Sequence, residues 1–568
     1  MEAVQHPHRG TRPMIAGTGT GEPDLWCTYA AVRTLAWLDR LDSVPEPEAT
    51  TAYLANRRNA DGGFAWSRGM PSDAWATFYC TQAMRDLGSP LADTSGLWTW
   101  LERTWSGVAF AMMPGQAPDV WATHFSTRTA VEICGRDVPD RARLLDWLRG
   151  LQTSGGGLAW TPEHAGTGAA DVRACYYGIA AWRALANHQP ADPPWDVEAL
   201  VSWLLSQQDA TGGFRFAEDT EVPCLWATYR ATGALSALGR KPADSVAAFV
   251  IGLRGPTGAF VRWDGYAVED VWASFCAAGT LTDLPGQAAE AVVTALARFA
   301  CPGGGYTYRE PGAAWDALTT AAAVLRGEPH AADMVRWLES CQLPNEGGVM
   351  YMPGRGAEIR CTAWALAAGA FAADPDGRAL VAQWLVAMQN PDGGFGYWEG
   401  RGSDMVSTAS AVAAATAVGA HLDRAGLARF LRSCRVGESY AHTPGERPTL
   451  RSTLQAHRVR HALGEPDATV VAEVLRAHHV KGGGYANEGN RMPDLLSTYE
   501  AVLAADVHGV AVDADHVGRF VARVSTVDQA TWTPLAPLGD DPLARCLAAL
   551  LRARFGDRLT ALPAVVLS

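Results

Sequence analysis

The sequence predicts an all-α fold of about twelve helical hairpins, arranged as an inner and an outer layer of helices around an axis. Three observations lead to this prediction: twelve related helix starts, Ala- and Leu-rich runs after them, and a glycine turn with an aromatic residue before most of them. Successive starts are 42 to 53 residues apart. Self-similarity at this period is typical of helical-hairpin repeats.

Each helix start places a capping residue, most often Asp, four positions before a small polar residue. An Asp side chain accepts hydrogen bonds from the unpaired amides of the first turn and interacts favourably with the positive end of the helix dipole. The twelve starts are Asp24, Asp73, Asp119, Asp171, Cys224, Asp270, Asp316, Glu358, Asp404, Thr449, Asp494 and Asp541.

The two helices of each hairpin differ in polarity. The first helix is apolar around most of its circumference, as in 409–418, which predicts an interior position. The second helix carries more Arg and Asp, as in 140–150, and is expected in the outer layer. Glycines in the turn that follows supply positive φ and close approach, as in DGGFAW from Asp61 and GGGYTY from Gly303.

Composition excludes several classes of protein. A chain of 568 residues predicts two or more domains, and a formal net charge of -13 argues against binding nucleic acid. There is no run of 18 apolar residues, so we expect no membrane-spanning segment, and the first fifteen residues lack the pattern of a secretory signal. Eleven singly spaced cysteines favour a reducing cytoplasm over a disulfide framework.

Three of the glycine turns resemble the Q-x-x-D-G-G-F-x-W turns of the terpenoid cyclase and protein prenyltransferase superfamily. They are NRRNADGGFAW, LLSQQDATGGFRF and VAMQNPDGGFGYW. In that superfamily six hairpins close into one toroid, so the resemblance implies two (α/α)6 toroids, similar to the βγ arrangement of class II terpene cyclases. It also implies that 43–300 form an inserted, γ-like toroid, and that 1–42 join 301–568 in the β-like one.

The resemblance directs attention to the family's acid motif, D-x-D-D, whose middle Asp protonates a carbon–carbon double bond. The repeat register places this motif on Asp316, Ala317, Leu318 and Thr319. Leucine cannot donate a proton, so Leu318 departs from the family pattern at the acid position. Asp316 is then either the proton donor or the ordinary cap of its repeat. Thr319 and Thr320 either hold the helix start or contact the substrate.

The second position after each start separates the two halves of the chain. In the first half it is Trp five times, which predicts an aromatic plug in the first toroid. In the second half it is mostly aliphatic, which predicts an apolar opening. The alternative is that both sets simply fill their rings. The residues are Trp26, Trp75, Trp121, Trp226 and Trp272, then Leu318, Arg360, Val406, Arg451, Leu496 and Leu543.

An acidic loop is the candidate metal site. Glu218, Asp219 and Glu221 lie within four residues, and carboxylate oxygens suit Mg²⁺. By resemblance they would hold the substrate's diphosphate through Mg²⁺; the alternative is an ordinary acidic loop. No helix start has the D-x-C spacing of the protein prenyltransferase zinc site, which disfavours zinc-dependent chemistry.

The resemblance therefore implies a class II-type terpene cyclase, an isomerase or lyase in type. It would act on linear farnesyl or geranylgeranyl diphosphate, held between the toroids, by protonation-initiated carbocation cyclisation. Aromatic walls stabilise carbocations by roughly 0.5–2 kcal/mol each. Two alternatives stay open: an isoprenoid enzyme with altered initiation, and a non-catalytic toroid that binds a prenyl or apolar ligand. The expected substrate-binding residues are Trp263, Tyr306, Tyr308, Arg309, Trp315, Leu318 and Trp398.

Overall fold

A computed structural model of the chain consists of two compact units that divide between Ala314 and Trp315. Both units are built almost wholly of α-helices. None of the helices in the described part of the chain combines the length and apolar character needed to cross a membrane. The structure describes residues 23–66, 71–217, 222–243, 245–266, 268–281, 286–311, 314–343, 346–352, 355–399, 401–488, 492–556 and 558–567.

The first unit contains thirteen of the described α-helices, a 3-10 turn at Leu41–Ser43, a π-helical turn at Thr129–Ile133, and one two-stranded sheet. Strands β1 (Phe260–Val261) and β2 (Glu269–Asp270) pair antiparallel. The helices are α1 (Leu25–Trp37), α2 (Pro47–Ala55), α3 (Ala74–Asp86), α4 (Ser95–Thr104), α5 (Val120–Arg128), α6 (Arg141–Arg149), α7 (Pro162–Thr167), α8 (Val172–His188), α9 (Val197–Ser206), α10 (Leu225–Ala237), α11 (Ser245–Gly252), α12 (Val271–Thr280) and α13 (Gly286–Arg298).

Six inner helices of this unit form a closed ring, which we call the first ring. In order around the ring they are α1, α3, α5, α8, α10 and α12; each packs against the next, and α12 packs against α1. The inner helices are buried on nearly every side, and α3 is buried continuously from Ala74 to Met84. Outer helices such as α2, α6 and α9 bury one stripe on the inner helix that follows them. The prediction of an apolar inner layer and a more polar outer layer is confirmed.

The second unit contains the remaining eleven α-helices and one small antiparallel sheet, formed by β3 (Arg435–Val436) and β4 (Ser439–Tyr440). The helices are α14 (Ala317–Arg326), α15 (Ala331–Ser340), α16 (Ile359–Ala367), α17 (Pro375–Ala387), α18 (Met405–Val418), α19 (Arg424–Ser433), α20 (Leu450–Ala462), α21 (Ala468–His478), α22 (Leu495–His508), α23 (Ala514–Val524) and α24 (Pro542–Phe555).

A second closed ring is formed by the inner helices of this unit. In order they are α14, α16, α18, α20, α22 and α24, and α24 packs against α14. The predicted pair of six-membered toroids is therefore confirmed. One departure concerns the twelfth hairpin, since no helix follows α24 in the described residues to serve as its second member. In its place, 558–567 continues as non-helical chain.

The helix starts cap as predicted, with one exception. Eleven of the twelve starting side chains accept a hydrogen bond from a first-turn amide; Asp404, for example, accepts from the amide of Ser407 at 2.8 Å. Glu358 does not, because its carboxylate is held by Arg360 and by the Cys361 thiol. Helix capping therefore accounts for the recurrence of Asp at the helix starts.

The small polar residue four positions after each start ties the glycine turn to its inner helix. The Thr77 hydroxyl accepts the amide of Phe64, and the Thr408 hydroxyl accepts the amide of Phe395. Ten of the twelve starts make this bond, which joins a turn residue, aromatic in eight cases, to the next inner helix; in one of the ten the acceptor is the Cys175 thiol. The repeat is therefore held by one recurrent hydrogen bond as well as by packing.

The expected assignment of 1–42 to the second toroid is wrong for the part of it that the structure describes. Helix α1 packs between α3 and α12 and belongs to the first unit. The physical reason is the turn from Gly303, whose Tyr306 amide bonds to Thr28 rather than to a residue of α14. The first ring therefore runs from α1 to this turn, and the unit boundary lies at Ala314 instead of residue 300.

Candidate functional site

The end of the first ring where its helices begin is closed by tryptophan. The five Trp side chains predicted as a plug are each at most 7% exposed. Trp26 lies at their centre, with ring centroids 4.7 Å from Trp75, 4.6 Å from Trp272 and 5.6 Å from Trp226, and Trp75 lies 4.7 Å from Trp121. These contacts between helices on different sides of the ring confirm the aromatic plug.

A second aromatic layer follows one turn further along the inner helices. Tyr29 stacks on Tyr79 with ring centroids 3.9 Å apart, and Tyr79 meets Phe125 edge-on at 5.5 Å. Burial raises the pKa of the Tyr29 and Tyr79 hydroxyls, so both stay protonated. The first ring is thus filled by aromatic side chains over its first half.

A cavity of about 510 Å³ lies beyond these layers, toward the ends of the inner helices. Its wall is apolar and aromatic, with Trp37, Tyr176 and Tyr229 beside alanines and glycines. The two tyrosine hydroxyls lie 3.1 Å apart. Small residues keep the space open: a methyl group on Gly279 would come within 3 Å of Tyr229 and Trp37. This volume falls in the range of sites that take small organic ligands.

The rim of the cavity carries charge. Arg128 and Glu132 form a two-armed ion pair, with nitrogen–oxygen distances of 2.7 and 2.9 Å. Burial opposes the charge on Arg128, but Glu132 outweighs it and raises the pKa of the guanidinium. Arg183 is exposed and makes no ion pair with the described residues. Among the described residues of the rim, Arg183 is therefore the cation that is available to a ligand.

The predicted acid lies at the start of α14 in the second ring. Asp316 is fully buried; Oδ1 accepts the Thr319 amide at 2.8 Å and Oδ2 accepts the Thr319 hydroxyl at 2.7 Å. Leu318 is 8% exposed, and the Thr320 hydroxyl is buried without a hydrogen-bond partner in the described chain. Asp316 and Thr319 thus have a clear capping function, and the structure leaves their catalytic assignment a prediction.

Arginine takes part in a buried cluster at the start of α16. The Arg360 guanidinium bonds the Glu358 carboxylate at 2.7 Å and lies over the Tyr397 ring at 4.1 Å. Burial raises the pKa of Tyr397 to about 12, with Arg360 acting in the opposite direction. In the second ring, the residues at the second position after each start are therefore not all apolar, since Arg360 places a charge at this position.

The residues predicted to bind substrate are divided between the two units. Tyr306 and Tyr308 are buried in the ring-closing turn of the first unit, and Trp263 packs on Tyr266 at 4.3 Å. Arg309 pairs with Glu310 at 3.3 Å. The remaining members belong to the second unit: Trp315, Leu318 and Trp398.

The predicted magnesium ligands Glu218, Asp219 and Glu221 lie outside the described residues. Among the residues that are described, no group of three or more His, Cys, Asp or Glu side chains could hold a metal ion. The magnesium site therefore stays a prediction from the sequence.

Asp270 is the cap at the start of α12. Its Oδ1 accepts the amide of Ala273 at 2.7 Å, while its Oδ2 is buried without a hydrogen-bond partner in the described part of the chain. Burial raises the pKa of this carboxyl to about 7, and Arg262 and the first-turn amides only partly oppose that rise. Asp270 can therefore hold a proton near neutral pH, which its sequence pattern did not reveal.

The cavity residues were also missed by the sequence reasoning. Four of them stand nine residues after a helix start, and this shared register was a signal that the sequence contained. The four are Arg128, Ala180, Gly233 and Gly279. They differ too much in chemistry to form a recognisable motif.

Two closed rings of inner and outer helices, joined by glycine–aromatic turns, define an alpha–alpha toroid protein. Comparison with protein families gives the same class: the prenyltransferase alpha-alpha toroid domain matches residues 1–104, 70–193, 175–350 and 314–450. These matches cover well over half of the chain, and the chain belongs to this family. A search of the curated proteins finds no match.

Several solved structures are similar at low identity. Protein geranylgeranyltransferase-I of Candida albicans, complexed with GGPP, is 12% identical over 45% of this chain and 82% of its own, with a TM-score of 0.38. The ent-copalyl diphosphate synthase of Streptomyces platensis is 16% identical over 78% and 95%, with a TM-score of 0.31. The type II terpene cyclase MstE from Scytonema is 15% identical over 48% and 88%, with a TM-score of 0.31. We take no functional assignment from similarities of this size.

Proposed function

We propose that the chain is an isoprenoid-processing enzyme that binds a linear prenyl diphosphate, farnesyl or geranylgeranyl, in the cavity of the first ring. The observation that carries this proposal is an aromatic cavity of about 510 Å³ with an exposed arginine, Arg183, at its rim that pairs with no acidic side chain of the described residues. Membership of the prenyltransferase toroid family supports the choice of ligand.

The cavity has an apolar, aromatic interior and a charged rim, which match the apolar chain and the diphosphate of such a ligand. Trp37, Tyr176 and Tyr229 offer aromatic faces to an apolar chain, and the plug around Trp26 closes the far end. A guanidinium binds phosphate oxygens through two donors in a fixed fork, which fits the diphosphate to Arg183. The depth of the cavity beyond the rim then determines which length of prenyl chain fits.

The ends of the inner helices carry partial negative charge, which disfavours an anion at this rim. Arg183 offsets part of that charge, and Mg²⁺ arriving with the diphosphate would offset more. The magnesium site predicted from the sequence at Glu218, Asp219 and Glu221 comes just before the start of α10, so the ion at this rim would be held by the diphosphate itself. We therefore expect binding of the diphosphate to tighten when magnesium is present.

The proposed reaction is class II-type cyclisation, in which a carboxylic acid protonates a double bond and the diphosphate stays in the product. The candidate for the donor is Asp316, from the family register. Asp270 holds a proton up to about pH 7, but it stands at the helix-start end of the first ring, where the tryptophan plug separates it from the cavity. Asp316→Asn keeps the capping oxygen and removes the acid.

Product analysis tests the proposal. Farnesyl and geranylgeranyl diphosphate are incubated with the chain, with and without Mg²⁺, and products are identified by mass spectrometry before and after phosphatase treatment. A cyclic diphosphate of unchanged mass supports the cyclase. Its loss in Asp316→Asn, with Asp270→Asn as a control that should retain it, supports Asp316 as the donor, and products that lack diphosphate would contradict the class II assignment.

A second candidate function is a non-catalytic toroid that binds a prenyl chain. The observation that favours it is the engagement of both Asp316 oxygens by Thr319, next to the apolar Leu318. A binding module would give saturable binding of the same diphosphates and no product.

A further inference from the structure

The interior of the second ring contains a buried polar cluster that the proposed function does not use. Gln455 and Arg458 on α20 face Glu500 on the neighbouring helix α22, and all three are at most 8% exposed. Gln455 Nε2 donates to Glu500 Oε1 at 3.2 Å, and Arg458 Nη2 lies 3.2 Å from Glu500 Oε2. Because most buried polar side chains in proteins have their hydrogen bonds satisfied, a buried cluster with unsatisfied atoms requires an explanation.

The repeat register places this cluster at the level of the first ring's cavity. Arg458 is the ninth residue after its start, Thr449, and residues at that position line the cavity of the first ring. Gln455 and Glu500 are each the sixth residue after their starts, the position at which Tyr79 lies in the first ring's interior. The cluster therefore lies on the inward side of the second ring.

Two hydrogen-bonding atoms of the cluster are unused. Gln455 Oε1 and Arg458 Nε are buried and have no hydrogen-bond partner among the described residues, while Glu500 Oε2 is engaged by the Arg458 ion pair. One of the two unused atoms is an acceptor and the other is a donor. A group that both donates and accepts a hydrogen bond would satisfy them.

The formal charges of the cluster cancel, because Arg458 carries one positive charge and Glu500 one negative charge. A diphosphate or carboxylate would therefore meet no net attraction here and would lie beside a carboxylate. A hydroxyl is neutral, donates to one acceptor and accepts from one donor. The cluster thus selects a neutral alcohol over an anion, in contrast to the rim of the first ring.

A segment of the chain already crosses the same ring. The carbonyl of Pro563 accepts the Tyr499 hydroxyl at 2.8 Å, and the carbonyl of Val566 accepts the Trp364 indole N–H at 3.0 Å. Tyr499 is on α22 and Trp364 is on α16, which occupy opposite positions in the ring. Val565 and Val566 are 1% exposed. The interior of the second ring therefore accepts a non-helical apolar segment, 562–567, whose Val565 and Val566 side chains are buried.

The segment and the cluster are adjacent. Tyr499 directly precedes Glu500, and both Glu500 and Arg458 act electrostatically on the Tyr499 hydroxyl. We propose that the second ring is a binding site for a long-chain aliphatic alcohol. Its hydroxyl meets Gln455, Arg458 and Glu500, and its chain displaces the segment 562–567. This site is separate from the diphosphate site proposed for the first ring, and each stands without the other.

Binding of geranylgeraniol to the full chain, measured by calorimetry, tests the site. Arg458→Met combined with Glu500→Leu removes both charges together, which avoids leaving one buried ion unpaired. We expect this double variant to bind the alcohol at least ten-fold more weakly and to bind geranylgeranyl diphosphate as the unaltered chain does. Glu473→Gln, an exposed change on α21, is the matched control and should alter neither.

Displacement of the segment is tested by two further measurements. Val566→Asp should release the segment and strengthen alcohol binding at least ten-fold, whereas Ala564→Asp, at an exposed position of the same segment, should not. In the unaltered chain, geranylgeraniol should speed amide exchange in 562–567, and geranylgeranyl diphosphate should leave it unchanged. Equal alcohol binding by the double variant, or unchanged exchange with the alcohol, would overturn the proposal and leave a cluster that holds only water.

Discussion

The amide of Tyr306 donates a hydrogen bond to the Thr28 hydroxyl oxygen at 2.9 Å, across 278 residues of sequence. The Tyr306 carbonyl in turn accepts the amide of Asp24 at 2.8 Å. Together these bonds join the last turn of the first ring to its first helix. The same position in α14, Thr320, receives no such bond from the described residues, because the turn that would supply it is used by Thr28.

This difference predicts unequal effects of one substitution at two equivalent positions. Thr28→Val leaves the buried amide of Tyr306 without its acceptor and should lower the free energy of unfolding by about 1–3 kcal/mol. Thr320→Val removes a hydroxyl that has no partner in the described chain and should change it by less than about 0.5 kcal/mol. Urea denaturation of both variants measures the difference. Equal losses would show that ring closure does not depend on this bond.

The rim of the cavity predicts a charge effect on ligand binding. Arg183→Ala should weaken binding of geranylgeranyl diphosphate by about five-fold, equivalent to about 1 kcal/mol for an exposed cation. Arg103→Ala removes an exposed arginine from the outer helix α4 and serves as the control. The comparison is made by calorimetry at two salt concentrations, since the Arg183 contribution should shrink as salt rises. Identical affinities for both variants would argue against an anionic ligand at this rim.

The volume of the cavity predicts a steric effect on the apolar chain. Ala180→Phe projects a ring into the cavity from α8 and should reduce binding at least ten-fold. Ala186→Phe adds the same ring on the same helix, at a residue that does not line the cavity, and should bind as the unaltered chain does. Thermal unfolding of both variants establishes that they fold. Unchanged binding by Ala180→Phe would place the ligand elsewhere.

Asp270 predicts a pH dependence of stability. Its pKa is about 7 in the folded chain and about 3.9 when unfolded, so the folded state holds a proton that the unfolded state has lost between these values. The free energy of unfolding should therefore fall as pH rises from about 4 to 7, by about 1.4 kcal/mol for each pKa unit of difference at most. Asp270→Asn lacks this carboxyl, so its free energy of unfolding should not fall in this way, and its stability relative to the unaltered chain should rise between about pH 4 and 7. Parallel pH profiles would contradict the assignment.

The helical hairpins could be predicted from the sequence because each one carries its own helix start, apolar run and turn. The Trp26 cluster followed from comparing the second position after every start, since a tryptophan there has only the ring interior to enter. The membership of α1 could not be predicted in this way. It depends on which turn bonds to Thr28, and ten of the twelve starts present a Thr or Ser hydroxyl at that position. The cavity could not be predicted because Arg128, Ala180 and Gly279, which all stand nine residues after a helix start, have side chains of different chemical types.

The buried carboxyl of Asp270 shows a second limit of the sequence. Its start, DVWAS, is close to that of Asp119, DVWAT, and both would be interpreted as caps. Burial of the carboxyl raises the pKa of Asp270 to about 7, and burial of this kind is not encoded in the five residues of a single start.

Turnover of geranylgeranyl diphosphate with Mg²⁺, with products identified by mass spectrometry, tests the central claim most directly. The unaltered chain and the Ala186→Phe control should form product at similar rates, and Ala180→Phe should form at least ten-fold less. Failure of the unaltered chain to bind or convert either farnesyl or geranylgeranyl diphosphate, or full turnover by Ala180→Phe, would contradict a prenyl diphosphate site in the first ring.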